Sequence, residues 1–428
     1  MSTSDTYNPD SVRPSTHLSL AGAVDGDPAS SLALRANAVI EGALTTRRLV
    51  GVVVLVARND TVVYRRAAGF ADREARQPMQ ENTIFRLSSL TKPVVTAAAL
   101  ALVEKGRLDL DDVVTRWLPD FRPKMAGGVE AVITVRQLLT HTAGLSYSFF
   151  QPNDGPYQRA GVSDGIDEPG LSLEEELRRL ATVPLSHEPG TAWEYSLGLD
   201  VLGAVLARAG GASLPDLVES LVTGPLGMRD TAFAVRDLGR LAAAYVDATP
   251  PRRMADPDVV LFGAGAGIRF SPSRILDPNS YASGGAGMAG TATDFMIFLE
   301  AVRQGGGGIL APHSARSMMS NQIGSLRTNI ETTPSWGFGF GGAVLMDPSM
   351  AEVPQAAGTW KWGGVYGHHW YVDPQNRLTV VALSNTTVEG MAGSFVRELM
   401  GAIYGIPGPG LTANATTTAA ISNANDTA

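Results

Sequence analysis

The chain has 428 residues, 44% of them apolar, with 34 basic and 42 acidic side chains, a formal net charge of −8 and no cysteine. That length predicts two or three structural units around a large core. A net negative charge without a basic stripe argues against a nucleic-acid partner, and the lack of cysteine excludes disulfides, thiol nucleophiles and cysteine metal sites.

Residues 1–25 are polar and rich in Pro, Ser and Asp, a composition expected of a loose arm. No basic stretch followed by an apolar one opens the chain, so no secretion signal is read there. The longest apolar runs, "LVGVVVLVA" and "VVTAAALALV", fall short of the ~18 residues that span a bilayer. The expectation is a soluble, cytoplasmic protein. "SSLALRANAVIEGALTTRR" has apolar residues at helical spacing. Two β-branched runs then flank Arg58-Asn59-Asp60 and read as an antiparallel hairpin. A helix is predicted over 84–106, then a short acidic segment stopped by Pro119, then a short helix in "ITVRQLLTHTAGL" with a Thr cap and Gly144 at its end.

Residues 146–170, rich in Gly, Pro and Asp, read as a long surface loop. "LSLEEELRRLATVPL" and "LGLDVLGAVLARAGG" are amphipathic helices, residues 250–290 show little periodicity, and "TATDFMIFLEAVRQGG" is a helix with a Gly C-cap. The end returns to strands in "WGFGFGGAVLM", "TWKWGGV" and "HHWYVDPQNRLTVVALSN", turning at Asp373-Pro374-Gln375-Asn376, before a closing helix, "EGMAGSFVRELMGAIYG". The tail from 409 is low-complexity and is expected to be disordered.

Strands at both ends and helices between them predict an α/β (α+β) fold. One antiparallel sheet, built from both chain ends and flanked by helices, is joined by a mostly helical second domain. The expected boundaries are 26–95 with 280–408 for the α/β domain and 96–279 for the helical one, between a flexible arm (1–25) and the tail (409–428). The cleft between them is the default site.

Basic charge is carried by 30 arginines and four lysines: Lys92, Lys105, Lys124 and Lys361. Lys92 opens the most apolar helix, three residues after Ser89. Residues three apart share a helix face, so the Ser89 hydroxyl would lie within reach of the Lys92 amine. The helix N-terminus offers free N–H groups and a positive dipole end, which help a developing oxyanion. An amine taken out of water favours its neutral form, the form that accepts a proton. Serine with lysine therefore proposes acyl transfer without histidine. With 30 serines and four lysines, chance alone yields about 0.3 such spacings, so the tetrapeptide gains its meaning from context. Ser88, its neighbour, would face elsewhere on the helix and serves as an internal control.

In that context the chain resembles the serine β-lactamase and penicillin-binding-protein superfamily, whose first motif is Ser-x-x-Lys. "ENTIFRLSSLTK" looks like the run into the nucleophile; "VEKGRLDLDDVV", "ITVRQLLTHTAGL", "PGTAWEYSLGLDVLGAVL", "GGAGMAGTATDFMIFL" and "WKWGGVYGHHWYVDP" look like its later blocks, over about residues 30–405. Tyr195-Ser196-Leu197 keeps the tyrosine of the second motif and lacks its asparagine. Trp362-Gly363-Gly364 stands where Lys-Thr-Gly would. Both departures resemble the class C β-lactamase-like esterases called family VIII carboxylesterases.

The resemblance implies a β-lactamase-like fold and a cofactor-free, metal-free serine hydrolase for carboxylic esters of short acyl chains. Ser89 would be acylated, and Lys92 and Tyr195 would share its proton, with the base unassigned between them. The Ser89 and Val365 N–H groups would form the oxyanion hole. Strand alternation puts Trp360 and Trp362 on one face and Lys361 on the other, so the cation that would hold a β-lactam carboxylate is missing. Trp362, Gly363 and Gly364 would bind substrate. "GVSDG" formally fits Gly-x-Ser-x-Gly around Ser163, yet it lies in a loop rather than a strand–turn–helix and is read as a decoy. His141, His368 and His369 are given structural roles, the adjacent pair being a poor metal site, with lining of the cleft by one of that pair left open. The expected partner is a small-molecule ester, with no nucleic acid and no membrane, and with homo-oligomerisation left open. The rivals are a β-lactamase, a D-amino-acid peptidase or amidase, or an acyltransferase on the same scaffold, and a non-catalytic binding domain.

Overall fold

Strand β1 (Gly51–Arg58) is apolar at every position before its terminal arginine, and all seven of those residues are buried. Successive side chains point to opposite faces, so a strand of this kind needs a covered layer on both sides of its sheet. Val52, Val54 and Val56 pack on one face against Ala36, Ile40, Phe395, Leu399 and Ile403. Val53 and Leu55 belong to the larger core on the other face, with Val94, Phe295, Phe298 and Trp370.

This description comes from a computed structural model and covers residues 31–262, 267–328 and 335–406. The arm and the tail expected from composition lie outside those residues.

β1 turns into β2 (Thr61–Asp72) through Asn59 and Asp60, both at positive φ (51° and 68°). That is the two-residue turn whose twist matches a right-handed strand pair, and Asn and Asp tolerate it best after Gly. β3 (Gln77–Pro78) closes that edge, where a proline costs no ladder bond. From the far end of the chain come β4 (Trp336–Phe338), β5 (Ala343–Leu345), β6 (Trp360–Gly364), β7 (His368–Asp373) and β8 (Leu378–Ser384). The sheet order is β4-β5-β6-β7-β8-β1-β2-β3, with every neighbouring pair antiparallel. Both chain ends therefore complete one eight-stranded sheet.

Helix α1 (Ser31–Thr45) and the C-terminal helices cover one face. On the other lie α2 (Thr91–Glu104) and, further along, α6 (Ala292–Arg303). Between them come α3 (Val135–Leu139), α4 (Leu173–Thr182) and α5 (Gly198–Gly210). α3 starts at a capping box in which Thr134 accepts from the Gln137 N–H and Gln137 accepts from the Thr134 N–H. No single helix among the described residues is long and apolar enough to cross a membrane.

The structure differs from the sequence reading at several element bounds. The helix expected over 84–106 is shorter: Phe85–Arg86 is extended and pairs with Ala289–Gly290, and a 3₁₀ turn at Ser88–Leu90 precedes α2. α3 ends before Gly144, because the chain reverses at His141 with φ +57°. The closing helix is two, α7 (Thr387–Ala392) and α8 (Ser394–Tyr404), broken at extended Gly393. At the end of α6 the C-cap is Gln304, and the positive-φ glycine is Gly305. The 146–170 stretch is no surface loop throughout, since Ser148, Ser163 and Asp164 are buried.

Candidate active site

The turn that carries Ser89 is set by its neighbours. The Leu87 N–H donates to the Met288 carbonyl at 2.8 Å, and the Met288 N–H donates to Thr91 Oγ1 at 3.1 Å. The short strand Phe85–Arg86 is thereby stitched to the 288–290 segment on both sides of Ser88 and Ser89. Ser88 takes φ +46°, a conformation that a non-glycine residue adopts only when its surroundings impose it. The Ser88 hydroxyl is buried and accepts or donates no hydrogen bond. Ser89 follows, in the 3₁₀ turn leading into α2.

α2 presents no polar stripe: Thr91 to Leu102 are all buried, as its uninterrupted apolar run requires. Pro93 sits in its first turn, where a missing N–H costs nothing. Lys92 is fully buried, and its Nζ donates to Ser89 Oγ at 3.1 Å and to the Gly285 carbonyl at 2.8 Å. The Tyr195 hydroxyl donates to the same Ser89 Oγ at 2.7 Å. The Trp362 indole N–H in turn donates to the Tyr195 oxygen at 3.2 Å. Ser89 with Lys92, Tyr195 and Trp362 thus converge from three separate segments of the chain. Lys92 Nζ also lies over the Tyr195 ring at 4.7 Å and the Tyr147 ring at 5.4 Å, where the π-faces favour a cation.

β6 runs into this turn. A Cβ at Gly364 would lie 2.6 Å from Ser88 Oγ and 2.8 Å from the Leu87 carbonyl, so only glycine lets the strand close on the Ser88–Ser89 turn. Val365 follows directly. Gly363 lies on the other side of the strand, where a Cβ would meet Met391 Cγ at 2.8 Å. The alternation expected of Trp360, Lys361 and Trp362 is present. Trp360 is fully buried against Trp370, Trp362 faces Tyr195, and Lys361 Nζ lies 4.0 Å from the centre of the Trp336 ring. Arg86 donates to the Pro272 and Ala242 carbonyls, away from Ser89.

Ser163 is buried and far from this arrangement in its bonding. Its hydroxyl donates to Asp167 and accepts from the Gly165 N–H, and its own N–H donates to Glu176. Those carboxyl groups, with Asp164 and Asp200, form a buried acidic region. Burial pushes Glu176 up to about 8, Asp200 and Asp167 rise for the same reason, and Asp164 rises through burial and the charge of Asp167. His368 donates from Nε2 to the Arg86 carbonyl at 2.8 Å, and burial lowers it to about 4, so it is a neutral brace. No cluster of His, Asp or Glu among the described residues is arranged to hold a metal ion.

Three residues that sequence reasoning did not single out bear on the site. Gly285 accepts from Lys92. A Cβ there would fall 2.6 Å from Asp200 Oδ2, 3.2 Å from the Tyr147 hydroxyl and 3.5 Å from Lys92 Nζ. Asp200 and Tyr147 are fully buried beside that amine. The only sequence signal was the glycine run "SGGAG"; nothing in spacing tied Tyr147 or Asp200 to Lys92.

The family model described as Beta-lactamase matches residues 36–403. Esterase EstB of Burkholderia gladioli is 50% identical over 380 residues, which cover 88% of this chain and 96% of that protein. The solved structure of EstCE1, titled a hydrolase with promiscuous acyltransferase activity, superposes with a TM-score of 0.84 at 47% identity, covering 87% of this chain and 98% of the other. Monacolin J acid methylbutanoyltransferase of Aspergillus terreus is 27% identical over 400 residues, covering 84% of this chain and 92% of that protein.

Proposed function

The chain belongs to the Beta-lactamase family, and from that premise we propose that it hydrolyses carboxylic esters through an acyl-enzyme on Ser89. It is a carboxylesterase on a β-lactamase fold. The observation that carries the mechanism is the double contact on Ser89 Oγ, from Lys92 Nζ at 3.1 Å and the Tyr195 hydroxyl at 2.7 Å.

In this reading Ser89 Oγ attacks the ester carbonyl carbon, and its proton passes into the Lys92–Tyr195 pair. The two groups contact one hydroxyl, so the base is assigned to the pair. The Ser89 and Val365 N–H groups receive the oxyanion. The pair then returns a proton to the alkoxide as the C–O bond breaks. Water attacks the acyl-enzyme and gives its proton to the same pair, which returns a proton to Ser89 Oγ as the acyl C–Oγ bond breaks, releasing the acid and free Ser89. The Trp362 N–H aimed at the Tyr195 oxygen places a donor where charge develops during each transfer. Trp362 also supplies an aromatic wall in place of a cation, which suits an uncharged ester of short acyl chain. In this reading the chain is a family VIII carboxylesterase acting through an SxxK motif.

Mass spectrometry after treatment with a fluorophosphonate tests this directly. The adduct is expected on Ser89 and is absent from Ser89→Ala; labelling of Ser163 overturns the mechanism. Parallel turnover of a p-nitrophenyl ester and a chromogenic cephalosporin ranks the esterase against the β-lactamase, and faster cephalosporin turnover overturns the choice. The aromatic surroundings of Tyr195 (Tyr147, Phe150, Trp193 and Trp362) favour one second reading, acyl transfer to an apolar alcohol in competition with water.

A further inference from the structure

His141 stands at the reversal after α3, fully buried, with φ +57°. Its backbone carbonyl accepts the Glu194 N–H at 2.9 Å. Its Nδ1 accepts the Ser196 N–H at 3.2 Å and lies 3.1 Å from Ser196 Oγ. One residue therefore holds the peptides on both sides of Tyr195. Its ring lies against Tyr195 itself, with centroids 4.8 Å apart, and edge-on to Trp193 and Phe338 at 6.1 and 5.3 Å. A backbone N–H can only donate, so Nδ1 is bare and the ring proton sits on Nε2. Burial and the nearby Lys92 cation both lower His141 well below its ordinary value, in keeping with a neutral ring.

We propose that His141 is the positioning residue of Tyr195: by bracketing it at Glu194 and Ser196 and backing its ring, it aims the phenol oxygen at Ser89 Oγ. This rests on the proposed Ser89–Lys92–Tyr195 mechanism. The plain alternative is a histidine that merely fills the core. Filling needs bulk; positioning needs an acceptor at the Nδ1 position and a backbone in the left-handed region. The observed geometry supplies both, and the φ explains why a β-branched or long aliphatic residue is unsuited there. Nothing about the histidine's proton is used in the reaction, because Nδ1 is committed to a backbone donor. His141 acts only through Tyr195 and touches no reacting atom.

Glycine and asparagine both accept a positive φ, and asparagine keeps an acceptor near the Nδ1 position. His141→Gly is expected to lower kcat for a p-nitrophenyl ester by about tenfold to a hundredfold, the effect of misplacing a catalytic group by up to ~1 Å, with KM within about twofold. His141→Asn is expected to recover most of that loss. If His141→Gly yields no folded chain, His141→Gln takes its place: it fills the space but carries its amide near the Nε2 position, and is expected to fall well below His141→Asn. Wild-type kcat in His141→Gly, or Asn no better than Gly or Gln, overturns the proposal. Tyr195→Phe is run alongside. Full activity there overturns the proposed mechanism itself, whereas a dead Tyr195→Phe with an undiminished His141→Gly overturns only the role of His141.

Discussion

β6 closes tightly on the turn that carries Ser89, and Gly364→Ala tests whether that approach sets the rate. The new methyl would stand 2.8 Å from the Leu87 carbonyl and 2.6 Å from Ser88 Oγ. Ser88 Oγ can rotate away; the carbonyl cannot, because Leu87 is tied to Met288 and Met288 to Thr91. Ordinary contact at about 3.4 Å then requires β6 to retreat by roughly 0.6 Å, carrying Trp362 and Val365 with it. Overpacking of this size costs about 1–3 kcal/mol of stability. Since a misplacement of ~1 Å can cost about a hundredfold in rate, kcat for a p-nitrophenyl ester is expected to fall on the order of tenfold or more. The fluorophosphonate adduct on Ser89 should form more slowly in parallel, because the Val365 N–H and the Trp362–Tyr195 bond are displaced together. Turnover within twofold of wild type, in a variant whose melting temperature is also unchanged, would refute the argument that this glycine brings the strand onto the nucleophile.

Other expectations follow from groups elsewhere in the fold. Glu176, raised from 4.5 to about 8 by burial, carries no penalty below pH 4.5, where both states hold the proton. Stability is then lost as pH rises toward 8, because the unfolded chain ionises first. Glu176→Gln, which keeps an acceptor for the Ser163 N–H, should therefore stabilise by on the order of a few kcal/mol at pH 9 and change little at pH 4.5. Equal melting shifts at both values would contradict this. Ser163→Ala deletes a buried hydroxyl bonded to Asp167 and Gly165 and should cost about 1–3 kcal/mol in denaturant unfolding while the kcat of folded enzyme stays at the wild-type level. Gly42 lies inside α1 with nothing within 4 Å of a Cβ; Gly42→Ala should raise stability by about 0.5–1 kcal/mol, read as a higher melting temperature.

Much of the site was legible because its parts obey short-range rules. Ser89 and Lys92 are one helical turn apart, so their contact follows from chain geometry alone. Strand alternation separated Lys361 from Trp362, and hairpin chemistry placed the turn at Asn59 and Asp60. The helix bounds were less legible. Ile84, Phe85 and Leu87 have apolar side chains that suit a helix, yet Phe85 and Arg86 are drawn into a two-stranded pairing with Ala289–Gly290, a partner some 200 positions away. The 387–404 segment reads as one periodic run, and Gly393 divides it because its backbone is extended there.

The sequence by itself determined the chemistry on offer: one serine with a lysine at helical spacing, a tyrosine and a tryptophan in ordered motifs, and a sheet shared by the two chain ends. Only the tertiary structure decided how these groups meet. Tyr195 reaches Ser89 because His141 and Ser146 hold the chain on either side of it. Lys92 finds its carbonyl at Gly285, in a space that a single Cβ would fill. Residue spacing encodes contacts within a helix or strand, where the backbone geometry is known in advance. Contacts between segments depend on how whole elements pack, and that is settled by burial and close-packing across the entire core.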